Sequence, residues 1–290
     1  MSAVQVSAAD TDADPGLVTA SAPALLAEIA PGVSETLVNY DGHVARVWTK
    51  GTGPTVGVLA GPLGVPRWND YLEQLSASYR VVVPSLPGFP GGGMSYERLD
   101  SVADWVIATL DLLDATGLDG ADLIGHSIGG ALLAEVAAFS RASVARMVLV
   151  APYGLYDEAA PPANLWAMRS AQANPAMSTV PERIAEQIAT PEHGDLVEWP
   201  IQMQRAVVSG ARLFWPLCDL GLHKRLHRIT TPTTLIWGGA DAALASTYAQ
   251  LFADGMGAAT TAIELIEGAG HLVDLDAPAA LVAAIRASLT

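Results

Sequence analysis

A serine set between glycines, where an apolar run meets a helix-forming run, constrains the fold of this chain more than any other feature. Residues 123–130 read Leu-Ile-Gly-His-Ser-Ile-Gly-Gly. A serine on so sharp a strand-to-helix turn adopts a strained backbone, which requires neighbours without side chains two residues to either side. Gly125 and Gly129 meet that requirement around Ser127. The segment therefore predicts a nucleophile elbow, a turn that presents a serine hydroxyl at the end of a strand.

The residues on either side of this turn strengthen the interpretation, because the glycine-serine pattern alone is a weak signal. Residues 121–124 form a short apolar run, and residues 131–139 are helix-forming and apolar nearly all round, as expected beneath a sheet. The first amides of such a helix are unpaired and lie where negative charge develops during acyl transfer, so Ile128 is a candidate oxyanion donor. A glycine-serine loop before a buried helix, without chemistry, is the alternative.

The charge and cysteine content exclude some classes of partner. The chain has 15 basic and 30 acidic residues, a net charge of −15. Nucleic acids and anionic membrane surfaces bind cationic faces, so we expect neither as a partner. Cys218 is the only cysteine, which rules out an intrachain disulfide and favours a reducing compartment.

The beginning of the chain differs from a secretory signal. Residues 1–20 lack a cationic start and contain Asp10, Asp12 and Asp14 where a signal needs an apolar core. Apolar runs elsewhere are interrupted well short of the ~20 residues that a membrane span requires. We expect a soluble, cytoplasmic protein, and the sequence leaves its oligomeric state open.

Short apolar runs alternate with helix-forming stretches along most of the chain. Asp41-Gly42 is the strongest turn signal and joins runs 35–40 and 43–50 into an expected antiparallel hairpin. Strands that are apolar on both faces are typical of a parallel sheet covered by helices. Buried strands are expected at 55–60, 80–84, 121–124, 147–151, 233–237 and 262–266, and helices at 68–78 and 101–116. This order predicts an α/β architecture with a mostly parallel sheet.

A long segment separates the expected strands 147–151 and 233–237, and it exceeds an ordinary connection in a compact domain. We interpret residues 153–232 as an inserted helical lid, and residues 34–152 and 233–290 as the core. Residues 1–33 are interpreted as a surface extension with a short helix at 23–29. Trp166 and Met203 are candidate substrate-binding residues in the lid, although ordinary helix packing would also explain them. The same applies to the lid's other large apolar residues Met168, Met177, Trp199 and Trp215.

An acid and a histidine follow two of the later strands. Asp241 comes directly after the strand at 233–237, and His271 follows the strand at 262–266. The carboxyl ends of parallel strands meet at one edge of a sheet, so both side chains can converge on Ser127. Asp241 could instead only cap a helix, and His271 could be a core histidine. The alternative acids are Asp157, Asp274 and Asp276.

The chain resembles the α/β-hydrolase superfamily, in its serine-nucleophile branch with a helical lid. The resemblance rests on the order serine, acid, histidine along the chain and on the motifs at 125–130, 237–241 and 268–271. The resemblance implies an eight-stranded sheet and a triad in which Ser127 attacks, His271 transfers the proton and Asp241 orients His271. The chain departs from the family pattern at Pro62, which has no N–H for the second oxyanion donor. We expect the Leu63 amide to take that place.

The function that we expect is hydrolysis of a small apolar carboxylic ester, lactone or thioester through an acyl-serine intermediate. Two alternatives stay open: a serine-dependent carbon–carbon hydrolase acting on a vinylogous diketone, and a non-hydrolytic cyclase or ligand-binding member of the fold. We expect no cofactor, because the glycines at 88–93 lack the context of a phosphate loop. No metal is expected either, since the remaining histidines show no paired ligand spacing; they are His43, His126, His193, His223 and His227.

Overall fold

One sheet of eight strands organises the protein. The computed structural model describes residues 29–192 and 194–289. The strands lie in the order β1-β2-β4-β3-β5-β6-β7-β8; β1 pairs with β2 and β2 with β4 antiparallel, and the other neighbours are parallel. The strands are β1 Ser34–Tyr40, β2 His43–Lys50, β3 Thr55–Leu59, β4 Arg80–Pro84, β5 Ala121–His126, β6 Val144–Val150, β7 Thr233–Gly238 and β8 Thr260–Ile266. The expected mostly parallel, eight-stranded architecture is confirmed.

Helices cover both faces of this sheet. The helices are α1 Asp70–Ser76, α2 Val102–Ala115, α3 Ser127–Phe139, α4 Ser170–Met177, α5 Pro181–Ile188, α6 Glu198–Phe214, α7 Thr247–Met256, α8 Val273–Asp276 and α9 Pro278–Ser288. Apolar residues of α1 and α9 pack in one buried cluster, and those of α2, α3 and α7 pack in the other. Adjacent strand residues alternate between them, so Leu123 belongs to one cluster and Ile124 to the other.

Local signals in the sequence account for several element boundaries. Asp41 and Gly42 both have positive φ, 46° and 75°, which is the backbone of the tight hairpin turn that the pair predicts. Ser101 caps α2 in a reciprocal capping box with Asp104. The predicted helix at 68–78 is shorter at its start, because the Asn69 side chain caps α1.

Among its described residues, the segment between β6 and β7 contains the helices α4, α5 and α6 and three short 3-10 helices. Its role as a lid stays a prediction. The expected helix at 23–29 lies outside the described residues, except for Ile29. Within the described ranges, no helix combines the length and apolar character needed to cross a membrane.

A buried ion pair connects this insertion to the helix that follows the predicted elbow. Glu135 on α3 is fully buried and accepts two hydrogen bonds from the Arg225 guanidinium, at 2.6 and 2.7 Å. Burial raises the pKa of Glu135, and the adjacent Arg225 opposes that rise. Removing the arginine would leave a carboxylate in the core without a counter-charge, which costs more than losing an exposed pair.

We predict that Arg225→Met lowers the free energy of unfolding by about 3 kcal/mol or more, because Glu135 loses its partner. Arg205→Met is the matched control: Arg205 is as exposed as Arg225, at 24%, but its partner Glu198 is 37% exposed rather than fully buried. The control should change stability by less than about 1 kcal/mol. Urea unfolding of both variants measures the difference, and equal losses would contradict this account.

Candidate functional site

Ser127 sits at a turn where backbone atoms crowd together. It has a φ of +48°, a left-handed conformation that is strained for a residue with a side chain. A Cβ on Gly129 would lie 2.4 Å from the Leu59 carbonyl oxygen, and one on Gly125 would lie 2.7 Å from the Gly129 carbonyl oxygen. Only glycine fits at these two positions, and α3 can therefore start directly against β3. The structure thus places Ser127 at the strand-to-helix turn that the sequence predicts.

The structure brings Ser127, His271 and Asp241 together in one hydrogen-bonded chain. His271 Nε2 lies 2.7 Å from Ser127 Oγ, and His271 Nδ1 lies 2.8 Å from Asp241 Oδ2. The side chains of His271 and Asp241 are fully buried. In this order the imidazole can accept the serine proton while the carboxylate stabilises the charge that forms on the ring.

Asp241 is itself held in place by the start of the next loop. Its Oδ1 accepts the amides of Ala243 and Leu244 at 2.9 and 2.8 Å, which leaves Oδ2 for His271. These amides belong to the loop before α7, which begins at Thr247, so Asp241 does not cap that helix and is hydrogen-bonded to the histidine.

The three alternative acids contact other groups. Asp274 accepts from the Asn69 side chain, and Asp157 Oδ1 accepts from the Ala159 amide. Asp276 hydrogen-bonds to Ser178, Thr179 and the Gly270 amide. No hydrogen bond joins any of them to the His271 ring among the described residues, so Asp241 is the acid on the histidine.

The loop after β3 forms a tight turn beside Ser127. The Gly64 amide donates to the Gly61 carbonyl at 2.9 Å, with Pro62 in the second position of the turn. A Cβ on Gly61 would lie 3.8 Å from the Cβ of Ser127, so turn and elbow are in contact. The turn's own hydrogen bond does not use the Leu63 amide. Ile128 is the second residue of α3, where helix amides have no intrahelical acceptor.

A cavity of about 610 Å³ lies between this turn and the helices of the insertion. Its lining is mostly apolar, and Arg169 is the one charged side chain among the described lining residues. Pro62, Leu63, Leu165, Trp166, Met168, Ala173, Met177, Ile184, Ile188, Trp199, Pro200, Met203, Ala206 and Val207 form the apolar part. The candidate substrate residues Trp166 and Met203 therefore share this cavity. Trp215, another large apolar residue of the insertion, is not among the described lining residues and is 65% exposed to solvent.

Tyr153 connects the cavity to the histidine and was not identified from the sequence. Its ring packs edge-on against the His271 imidazole at 5.2 Å and against Trp166 at 5.4 Å. Burial raises the pKa of Tyr153 well above its ordinary value, so its phenol stays neutral. Tyr153 lies three residues beyond the end of β6, and the rule that ligands bind beyond strand carboxyl ends could have pointed to it.

His126 and Cys218 are both buried. His126 packs against Tyr71 at 5.2 Å, and burial lowers its pKa. Burial raises the pKa of the Cys218 thiol to about 12, so this thiol is protonated and unreactive. His193 lies outside the described residues. Within the described residues, no group of three His, Cys, Asp or Glu side chains could hold a metal ion.

Comparison with known proteins points to one family. Residues 12–285 match the model of the alpha/beta hydrolase family. The chain is 31% identical over 130 residues to a 2-hydroxy-6-oxo-2,4-heptadienoate hydrolase of Pseudomonas putida, an alignment that covers 45% of each protein. It is 29% identical over 271 residues to the dihydrolipoyllysine-residue acetyltransferase component of an acetoin cleaving system of Pseudomonas putida, covering 87% of this chain and 68% of that protein. The chain thus spans less than half the length of the first relative.

A solved structure supports the fold independently of sequence identity. A carboxylesterase from Bacillus subtilis superposes with a TM-score of 0.62 at 19% identity, covering 89% of this chain and 91% of that one. At so low a sequence identity, the superposition shows a shared fold and does not indicate a shared substrate.

We predict that the strain at position 127 is measurable without any substrate. Both Ser127→Ala and Ser127→Gly remove the hydroxyl, but only glycine adopts the left-handed backbone without strain. The free energy of unfolding of Ser127→Gly should therefore exceed that of Ser127→Ala by roughly 1 kcal/mol. At most positions alanine is the more stabilising of the two residues, so this order would be reversed. Urea unfolding of both variants measures the difference. An alanine variant at least as stable as the glycine variant would contradict the strained conformation.

Proposed function

The chain belongs to the alpha/beta hydrolase family, and on that basis we propose that it hydrolyses a small, largely apolar carboxylic ester, lactone or thioester through an acyl-serine intermediate. The observation that carries the proposal is the buried hydrogen-bonded chain from Ser127 through His271 to Asp241, at 2.7 and 2.8 Å. A serine hydroxyl is a weak nucleophile at neutral pH unless a base within hydrogen-bond reach removes its proton. His271 is that base.

The reaction follows from this geometry in two halves. Ser127 Oγ bonds to the carbonyl carbon while its proton passes to His271 Nε2, giving a tetrahedral intermediate. The bond to the leaving alcohol or thiol then breaks, and His271 returns the proton to that group. In the second half, water gives a proton to His271 Nε2 and its oxygen bonds to the acyl carbon; the bond from that carbon to Ser127 Oγ then breaks, His271 returns the proton to Oγ, and the carboxylic acid leaves. Asp241 accepts the hydrogen bond from His271 Nδ1 throughout and so keeps the imidazole in the required tautomer.

Two backbone amides complete the proposed site. The Ile128 amide, at the start of α3, and the Leu63 amide, in the turn beside Ser127, stabilise the negative oxygen of the tetrahedral intermediate. Pro62 has no N–H, but it favours the turn in which the Gly64 amide makes the internal hydrogen bond. The Leu63 amide is not needed for that hydrogen bond and can serve the oxyanion.

The cavity supports the apolar character of the proposed substrate. Its walls near the turn are Pro62 and Leu63, and Trp166 and Met203 face it from the insertion. A volume of about 610 Å³ is within the usual range for small-molecule sites. We infer that residues 153–232 act as a lid whose packing selects the substrate, with Trp166 and Met203 in contact with its apolar part.

The relatives favour a second candidate function, cleavage of a carbon–carbon bond in a vinylogous diketone. Curated relatives include hydrolases of 2-hydroxy-6-oxo-dienoates, which carry a carboxylate. Arg169 lines the cavity and makes no ion pair within the described residues, so its guanidinium could receive such a carboxylate. The two candidates share the serine chain and differ in the bond that breaks.

We predict that Ser127→Ala lowers kcat for p-nitrophenyl butanoate by at least about 10⁴-fold, because no other group can form the acyl bond.

Asp241→Asn should lower kcat for the same ester by about 10³- to 10⁴-fold, since asparagine favours the wrong tautomer of His271. Initial rates measured spectrophotometrically test both variants. Retention of more than a tenth of the activity in Ser127→Ala would exclude the acyl-serine route.

A substitution in the cavity should change chain-length preference. Met203→Trp fills space that a long acyl chain needs, so kcat/KM for p-nitrophenyl octanoate should fall about tenfold while that for the acetate changes little. Ile201→Trp is the control, because Ile201 is on the same helix and 43% exposed. Equal effects of Met203→Trp on both esters would place the acyl chain elsewhere.

The two proposed functions, ester hydrolysis and carbon–carbon bond hydrolysis, predict different preferred substrates. We predict that the kcat/KM of the protein is higher for p-nitrophenyl butanoate than for a 2-hydroxy-6-oxo-dienoate, and that Arg169→Gln leaves ester hydrolysis unchanged. A higher kcat/KM for the dienoate, lost in Arg169→Gln, would assign the second function instead. Parallel assays at one pH separate the two.

A further inference from the structure

Hydrogen bonds fix the backbone on both sides of His271. The Gly270 amide, which precedes the histidine, donates to Asp276 Oδ2 at 2.8 Å. The Leu272 amide, which follows it, donates to the Met177 carbonyl oxygen at 2.8 Å. The backbone is therefore held at the residue before the histidine by Asp276 of α8, and at the peptide unit after it by Met177 of the insertion.

The Asp276 carboxylate is the centre of this arrangement. Besides the Gly270 amide, it accepts from the Ser178 hydroxyl at 2.5 Å and the Thr179 amide at 2.9 Å, and the Thr179 hydroxyl lies 3.1 Å away. Every partner is a donor, which suits an ionised carboxylate because it can only accept. Hydrogen bonds to a charged acceptor are also stronger than neutral ones.

The loop before His271 is pressed closely against these partners. A Cβ on Gly270 would lie 3.0 Å from Asp276 Oδ2 and 3.1 Å from the Met177 carbonyl oxygen. The Thr179 hydroxyl also lies 3.1 Å from the Gly268 carbonyl oxygen, so this side chain lies between the Asp276 carboxylate and the beginning of the loop. This close fit leaves the loop little room to change position.

We propose that Asp276 is a positioning residue for His271, acting together with Ser178 and Thr179 of the insertion. Among the described residues it makes no hydrogen bond to the imidazole; it holds the amide of Gly270, the residue before the histidine, while the Met177 carbonyl oxygen holds the peptide unit after the histidine. Met177 also lines the cavity, so the wall that contacts substrate and the loop that carries the base form one unit. This inference rests on the proposed function, since it assigns a role in the transfer of the serine proton.

The test is Asp276→Asn, measured with p-nitrophenyl butanoate. Asparagine has the same shape but replaces one acceptor oxygen with an NH₂ group, which faces a donor and cannot accept its hydrogen bond. We expect kcat to fall about 10- to 100-fold, because a displacement of less than 1 Å at the base is enough, while KM changes less than about threefold. Asp254→Asn, which removes the charge of an exposed side chain on α7, should leave kcat unchanged.

A second measurement distinguishes a positioning role of Asp276 from a purely structural role. If Asp276 positions the base, the proton resonance of the His271 Nδ1–H bonded to Asp241 should shift in Asp276→Asn at a temperature where the variant is fully folded. If kcat and this resonance both match those of the unaltered protein and only the melting temperature falls, Asp276 stabilises the fold and the inference is wrong.

Thr179 provides a test that does not depend on the folding of Asp276→Asn. Thr179 is exposed, so Thr179→Ala should fold normally and lower kcat roughly 2- to 10-fold through loss of its hydroxyl. Thr179→Ser, which keeps the hydroxyl, should restore the rate, and equal rates for both variants would overturn the inference. If the unaltered protein hydrolyses no ester, the proposed function has failed; if it does and these variants equal it, only this inference has failed.

Discussion

The close approach of α3 to β3 at Gly129 is the contact on which the rest of the site depends. Leu59 and Ala60 present carbonyl oxygens where any larger residue at 129 would place its Cβ, at 2.4 and 2.6 Å. At this contact Ser127 has a left-handed backbone, and the first amides of α3 have no intrahelical acceptor. The strain is local and is supported by α3, whose residues are buried along nearly its whole length.

The parallel sheet brings distant parts of the chain to this turn. β5, β7 and β8 end at the same edge; β5 continues directly into α3, which supplies Ser127, and the loops after β7 and β8 supply Asp241 and His271. The loops also hold one another: the Ala240 amide donates to the Ala269 carbonyl oxygen at 2.9 Å. Preorganised groups of this kind need not reorganise when charge develops on the histidine, and the buried surroundings of Asp241 strengthen their interaction.

Features encoded by short segments could be predicted from the sequence, and features made by packing could not. The Asp41-Gly42 hairpin, the strands and the elbow follow from local backbone preferences and hydrophobic patterns. The convergence of Asp241 and His271 follows from strand order. Tyr153 was missed, and Asp276 was considered only as an alternative acid, because their surroundings depend on which residues of the insertion pack against them. Trp166 and Met203 were identified only as candidates among six similar residues, since periodicity does not distinguish a cavity wall from a helix contact.

The central claim is that Ser127 becomes acylated during turnover. Mixing the protein with excess p-nitrophenyl butanoate, quenching in acid within milliseconds and mapping the peptides by mass spectrometry tests it directly. We expect a butanoyl group on the peptide that contains Ser127, present during turnover and gone after the substrate is consumed. Turnover at full rate with that peptide unmodified at every time point, or with the acyl group on another residue, would contradict the account.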